Sequence, residues 1–92
     1  MIQQPKLYMA IFPNPTSGDF TIQYEHQKIV DSNVSMFVYS PMGTLLLEQG
    51  QTAKTGTNLW KIQTNNWPTG LYNVRLIDEK GQQCTQTVFI QD

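Results

Sequence analysis

Apolar and polar residues alternate with a period of two in seven short runs along this chain, and no apolar period of 3.6 outlasts a single turn. Side chains of an extended strand point alternately to opposite faces, so the pattern predicts strands throughout. Lys6 to Phe12 reads as a short edge strand. Pro13-Asn14-Pro15 stops it, because proline lacks a backbone donor and biases its predecessor away from helix. After the turn Thr16-Ser17-Gly18, Phe20, Ile22 and Tyr24 alternate with Thr21, Gln23 and Glu25 in a second strand. His26 to Ser32 is polar and reads as a loop. In the run from Asn33 to Tyr39, Val34, Met36 and Val38 oppose Ser35, Phe37 and Tyr39. A strand apolar on both faces belongs at the centre of a sheet.

Ser40-Pro41-Met42-Gly43 suits a type I turn and returns the chain in a tight hairpin through Leu45, Leu46 and Leu47. A polar connection is expected from Gly50 to Gly56. Asn58, Trp60 and Ile62 then alternate with Leu59, Lys61 and Gln63 in a fifth strand, and Thr64-Asn65-Asn66 follows as a loop. The chain closes with a hairpin. Beyond Pro68-Thr69-Gly70, Tyr72, Val74 and Leu76 alternate with Asn73, Arg75 and Ile77. Asp78-Glu79-Lys80-Gly81 reverses direction, and Cys84, Gln86, Val88 and Ile90 alternate with Thr85, Thr87 and Phe89 in the return strand. About seven short antiparallel strands predict an all-β fold, an immunoglobulin-like antiparallel β-sandwich, with an open barrel as the alternative.

Length and composition narrow this reading. Ninety-two residues make one domain and leave little structure for a deep cleft. Residues 1–5 read as a flexible linker remnant and 6–92 as the domain. Only 14% of residues are charged, against about 25% in typical proteins, and Gln, Thr and Asn supply the polarity. That surface suits a secreted or cell-surface protein. A net charge of −1 with scattered basic residues gives no footprint for nucleic acid or an anionic membrane. No apolar run reaches the roughly 18 residues of a membrane span. Met1-Ile2-Gln3-Gln4 lacks the basic and apolar regions of a signal peptide, so Met1 is read as the start of a piece of a longer protein whose export signal lies elsewhere.

Candidate chemistry is sparse. The single histidine, His26, reads as a solvated surface residue beside Glu25, and Asp31, Ser32 and Ser35 lack the glycine-bounded turn that activates a nucleophile. One His, one Cys and dispersed carboxylates give no zinc spacing, and Asp78-Glu79 reads as a solubilising turn pair rather than a calcium loop. No cofactor, metal or catalytic role is expected. Cys84 reads as a small buried hydrophobe. Asn33-Val34-Ser35 matches a glycosylation acceptor only formally, since it opens a strand. Trp60 and Trp67 read as packing residues; their alternative use is an aromatic platform for a sugar ring, as in a carbohydrate-binding or adhesive β-sandwich module.

An ordered set of residues resembles a known family. Pro13-Asn14-Pro15 is followed by Gly18 and the alternating Phe20 and Ile22, then by Val38-Tyr39 with Gly43, and by Gly56 and Asn58 leading into Ile62. Pro68, Gly70, Tyr72, Val74, Gly81 and the terminal Val88-Phe89-Ile90 complete it. The chain is similar, over nearly its whole length, to the C-terminal sorting domain of the type IX secretion system of Bacteroidetes, in its type A form. Gly18, Gly43, Gly70 and Gly81 fall where a turn needs positive φ or close backbone approach.

The resemblance implies a non-catalytic sorting signal on the tail of a larger secreted cargo protein. Its partners would be the outer-membrane translocon and its shuttle, and a surface sortase that cuts at or before Gln3-Gln4-Pro5. The destination would be the cell surface or the extracellular space. The final strand, Thr85, Gln86, Thr87, Val88, Phe89 and Ile90, is the expected recognition element, its exposed backbone edge serving as a template for strand addition. The same open edges would let isolated copies dimerise. The chain departs from the family pattern at Ser40, where an acidic residue is frequent, and at Gln86 and Thr87, where a basic one is.

Overall fold

Among the described residues seven strands form, all but β4 where alternation places them: β1 (Tyr8–Phe12), β2 (Phe20–His26), β3 (Ser32–Tyr39), β4 (Leu45–Ala53), β5 (Gly56–Ile62), β6 (Gly70–Asp78) and β7 (Gln83–Ile90). The computed structural model describes residues 8–91. The expected linker over 1–5, the cut near Gln3-Gln4-Pro5 and the first two residues of the expected first strand lie outside them. β1-β2-β5 form one sheet and β4-β3-β6-β7 the other, every neighbouring pair being antiparallel. This is the expected sandwich rather than the open barrel. The central position read from the two apolar faces of β3 also holds.

The core follows from the period of two. Met9, Phe20, Ile22, Tyr24, Ile62 and, from the other sheet, Val34, Met36, Val38, Tyr72, Val74, Leu76, Val88 and Ile90 all point inward and are buried. Burial of that many large side chains supplies most of the stabilisation a domain of this size can obtain. Two turn glycines meet their expectation: Gly43 has φ +88° and Gly81 φ +82°. Gly70 is required for a different reason, since a Cβ there would sit 2.6 Å from Cγ of Pro41. The expectation fails at Gly18, which has neither a positive φ nor any atom within 4 Å of a virtual Cβ.

Three further corrections have physical causes. β4 runs nine residues instead of ending near Leu47, and Gly50 to Ala53 is strand rather than connection. Its polar outer positions hide the strand signal, but Ser32 to Ser35 of β3 pair with Ala53 back to Gly50, and Ala53 reaches the core. Asn58 makes the short return possible. Its Oδ1 accepts from the Lys54 amide at 2.9 Å, and its Nδ2 shares its two protons among the carbonyls of Lys54, Gly56 and Tyr24 at 2.8 to 3.3 Å.

His26 is not a solvated surface residue. It extends the inward register of β2 by one more step, is buried, and Nε2 lies 2.7 Å from the Val30 carbonyl it donates to. Asp78 is likewise more than a solubilising turn residue. Its buried Oδ1 accepts from the amides of Lys80 and Gln82, both at 2.9 Å, while Lys28 Nζ approaches Oδ2 at 3.6 Å. The carboxylate therefore organises the final hairpin from within.

Candidate recognition surface

The residues singled out by sequence separate into two groups. Phe20, Tyr72 and Val74 are fully buried, and the Tyr72 hydroxyl donates to the Pro68 carbonyl at 2.6 Å, pinning the chain that enters β6. Their role is architectural. Within the proposed recognition strand, Val88 and Ile90 are core residues as well. Alternation places Thr85, Thr87 and Phe89 on the opposite, outer face of the sheet. Gln86 shares the inner side but lies at its margin, where Nε2 donates to the Met9 carbonyl of β1 at 3.2 Å.

The backbone edge of β7 is not the open template expected of a terminal strand. The Asn14 side chain acts as a peptide unit: Nδ2 donates to the Thr87 carbonyl and Oδ1 accepts from the Phe89 amide, each at 2.9 Å. Thr16 continues the pattern. Its amide donates to the Phe89 carbonyl at 2.9 Å and its carbonyl accepts from Gln91 at 2.8 Å, making a parallel bridge to Ile90. The Thr16 hydroxyl in turn accepts from the Gly18 amide at 3.2 Å and donates to the Asp19 carbonyl at 2.9 Å, fixing the turn that carries it. Proline on both sides of Asn14 removes competing backbone donors, so the segment Pro13-Asn14-Pro15 is shaped to cover an edge rather than to extend one. Since backbone groups of one strand alternate between its two neighbours, the outward groups of β7 beyond this cover are those of Gln83 and Thr85 and the Thr87 amide.

The outer face of the four-stranded sheet is where β7 side chains meet others. Cross-strand register sets Thr85 beside Arg75, Thr87 beside Asn73 and Phe89 beside Leu71. One strand further, Arg75 lies beside Phe37 and Asn73 beside Tyr39. The rings of Phe37 and Tyr39 stack at 6.5 Å, and the Arg75 guanidinium carbon sits 5.1 Å from the Phe37 centroid and 6.0 Å from that of Tyr39. Leu71 is 55% exposed and Leu45 44%. Sequence reading missed this constellation because its members come from separate strands, and the alternation that places Phe37, Tyr39 and Arg75 opposite the core was read only as a sign of a central strand.

Other chemistry is weakly provided for. Among the described residues no group of three or more His, Cys, Asp or Glu side chains is arranged to hold a metal. Burial pushes the Cys84 thiol above its ordinary range, which disfavours the thiolate, the reactive form. Trp60 stacks on Tyr24 at 5.5 Å and Trp67 on Tyr72 at 5.4 Å, so each ring gives one face to the interior rather than joining the other in a platform. Among the described residues no helix is long and apolar enough to cross a membrane.

The family model of the secretion system C-terminal sorting domain matches residues 10–91. No curated protein matches the chain.

Proposed function

The chain belongs to the family of secretion system C-terminal sorting domains, and from that membership we propose that it is the non-catalytic address label of a type IX system, in the type A form found in Bacteroidetes. Residues 6–92 act as the label and residues 1–5 as the link to an N-terminal cargo. The outer-membrane translocon and its shuttle bind the folded label, a surface sortase removes it, and the cargo reaches the cell surface or the extracellular space.

The observation that carries this reading is the family match, and the structure supports assigning recognition to side chains. With Asn14 and Thr16 occupying the edge of β7 from Thr87 to Gln91, strand addition there would require breaking four hydrogen bonds already made. Thr85 and Thr87 instead present hydroxyl and methyl groups on an outer face that the fold does not need for its core. Deleting Gln83 to Asp92 is a poor test, because it also removes Val88 and Ile90 from the interior. A cleaner test fuses the chain to a reporter in a competent bacterium and replaces Thr85 and Thr87 together by Lys. Normal folding with lost surface delivery supports the reading. If the unmodified chain fails to deliver the reporter at all, the sorting role is wrong.

A further inference from the structure

Arg75 is the only arginine in the chain. It projects from the outer face of β6, in a cross-sheet row that runs Glu48, Phe37, Arg75, Thr85. Every ion pair among the described residues uses a lysine, and none uses Arg75. The nearest anionic position in the row, Glu48, is separated from it by Phe37. Its Nε is buried and has no hydrogen-bond partner. A shielded guanidinium donor left unpaired is a standing cost, normally offset by a partner.

The geometry narrows what that partner is. The guanidinium carbon lies over the Phe37 and Tyr39 rings, a cation–π contact that holds the charge on this face. A guanidinium presents its N–H donors as a planar fork that matches the two oxygens of a carboxylate. Thr85 is its direct cross-strand neighbour; the next row of the same outer face holds Thr87, Asn73, Tyr39 and the exposed Leu45, and the row beyond holds the exposed Leu71. A single cation on a chain of net charge −1 does not suit a phosphate-rich surface, which needs several.

We propose that Arg75, held over Phe37 and Tyr39, is the specificity-determining residue of this face and receives one carboxylate, flanked by apolar side chains, from an acidic segment of a partner protein. The inference deepens the sorting role above by stating what the binding partner presents.

Because the chain has one arginine, its Nε–H group gives one arginine resonance in a nitrogen-15 correlation spectrum. That resonance is followed while a capped Leu-Asp-Leu peptide, its Leu-Asn-Leu counterpart or inorganic phosphate is added to the intact chain. The expected result is a saturable shift of Arg75 Nε–H with neighbouring Thr85 and Thr87 amides for the Asp peptide, binding weaker by about tenfold or more for the Asn peptide, and little response to phosphate. Arg75→Lys keeps the charge but not the fork, and should lower the Asp-peptide response at Thr85 while leaving thermal unfolding unchanged. Equal responses to both peptides, an equal or larger response to phosphate, or no response would overturn the proposal. The titration does not involve export, so it can fail while the sorting role stands; a reporter that the unmodified chain does not deliver would remove the sorting role and leave the titration result intact.

Discussion

Along the side where β1 meets β7, Asn14, Thr16 and Gln86 tie the sheets together through side chains and a short bridge. Along the other side, β4 and β5 leave a groove of about 350 Å³ lined by Leu47, Gln49, Lys61, Ile62, Gln63 and Asn65. Both sides end in edge strands, so the difference lies in what covers them. On the first, a proline-bounded turn spends its one amide side chain on completing a ladder. On the second, single charges at Glu48 and Lys61 are the main guard against unwanted pairing. A sorting label that had to be read by backbone pairing at its last strand would not be expected to close that edge on itself. The closed side thus directs attention from the edge of β7 to its outer face.

The largest effect that sharpens this contrast comes from truncating one apolar residue on each side. Ile90→Ala on the closed side should destabilise by about 2–5 kcal/mol, enough to threaten a small domain, whereas half-buried Leu47→Ala on the open side should cost about 1 kcal/mol. Urea unfolding monitored by tryptophan fluorescence measures both, and equal losses would erase the distinction. Next in size, Asn14→Ala removes the partner of the Thr87 carbonyl and the Phe89 amide at an exposed edge where water replaces it, and should cost about 0.5–1.5 kcal/mol. Gln49→Ala, in the open groove, should stay within about 0.5 kcal/mol.

Hydrogen exchange examines the same edge without mutation. Phe89 and Gln91 amides, bonded to Asn14 and Thr16, should exchange markedly more slowly than the outward amides of Thr85 and Thr87. Uniform exchange along β7 would mean that the cover is not maintained in solution. The smallest effect is alkaline. Burial raises the Cys84 thiol, and burial, then Asp78 and Cys84, raise the Tyr24 hydroxyl. Both groups hold their protons more tightly when folded, so their stabilisation is complete below the unfolded thiol and phenol values and is lost as pH rises through the folded ones. Melting temperature should decline from about pH 8.5 upward, and Cys84→Ser should remove the earlier part of that decline.

Much of the fold was legible because a strand half buried in a sandwich must alternate, and β2, β3 and β6 do so throughout, β7 only over its last residues from Val88 to Ile90. β4 was read short because an exposed edge strand needs no apolar face, and its pairing is imposed by β3 rather than by its own residues. The burial of His26 and Asp78 was not legible, because it depends on partners such as the Val30 carbonyl and Lys28, which sequence neighbourhood does not announce. The candidate surface was only half visible. Thr85, Thr87 and Phe89 could be named from the terminal strand, but Arg75, Phe37 and Tyr39 join them through register across three strands. Asn14 was noticed as part of a turn, and the use of its amide against a residue 73 positions away required the fold.

The central claim is that the side-chain face of the last strand, and not its backbone edge, is what the export machinery reads. Surface delivery of a reporter fusion, measured with the melting temperature of each purified tail, tests it most directly when Thr85→Lys/Thr87→Lys is set against Asn14→Ala. The account expects the threonine variant to keep its melting temperature and lose delivery, and the asparagine variant to melt lower yet be delivered wherever it remains folded. Normal delivery of the threonine variant, or lost delivery of a folded Asn14→Ala tail, would contradict it.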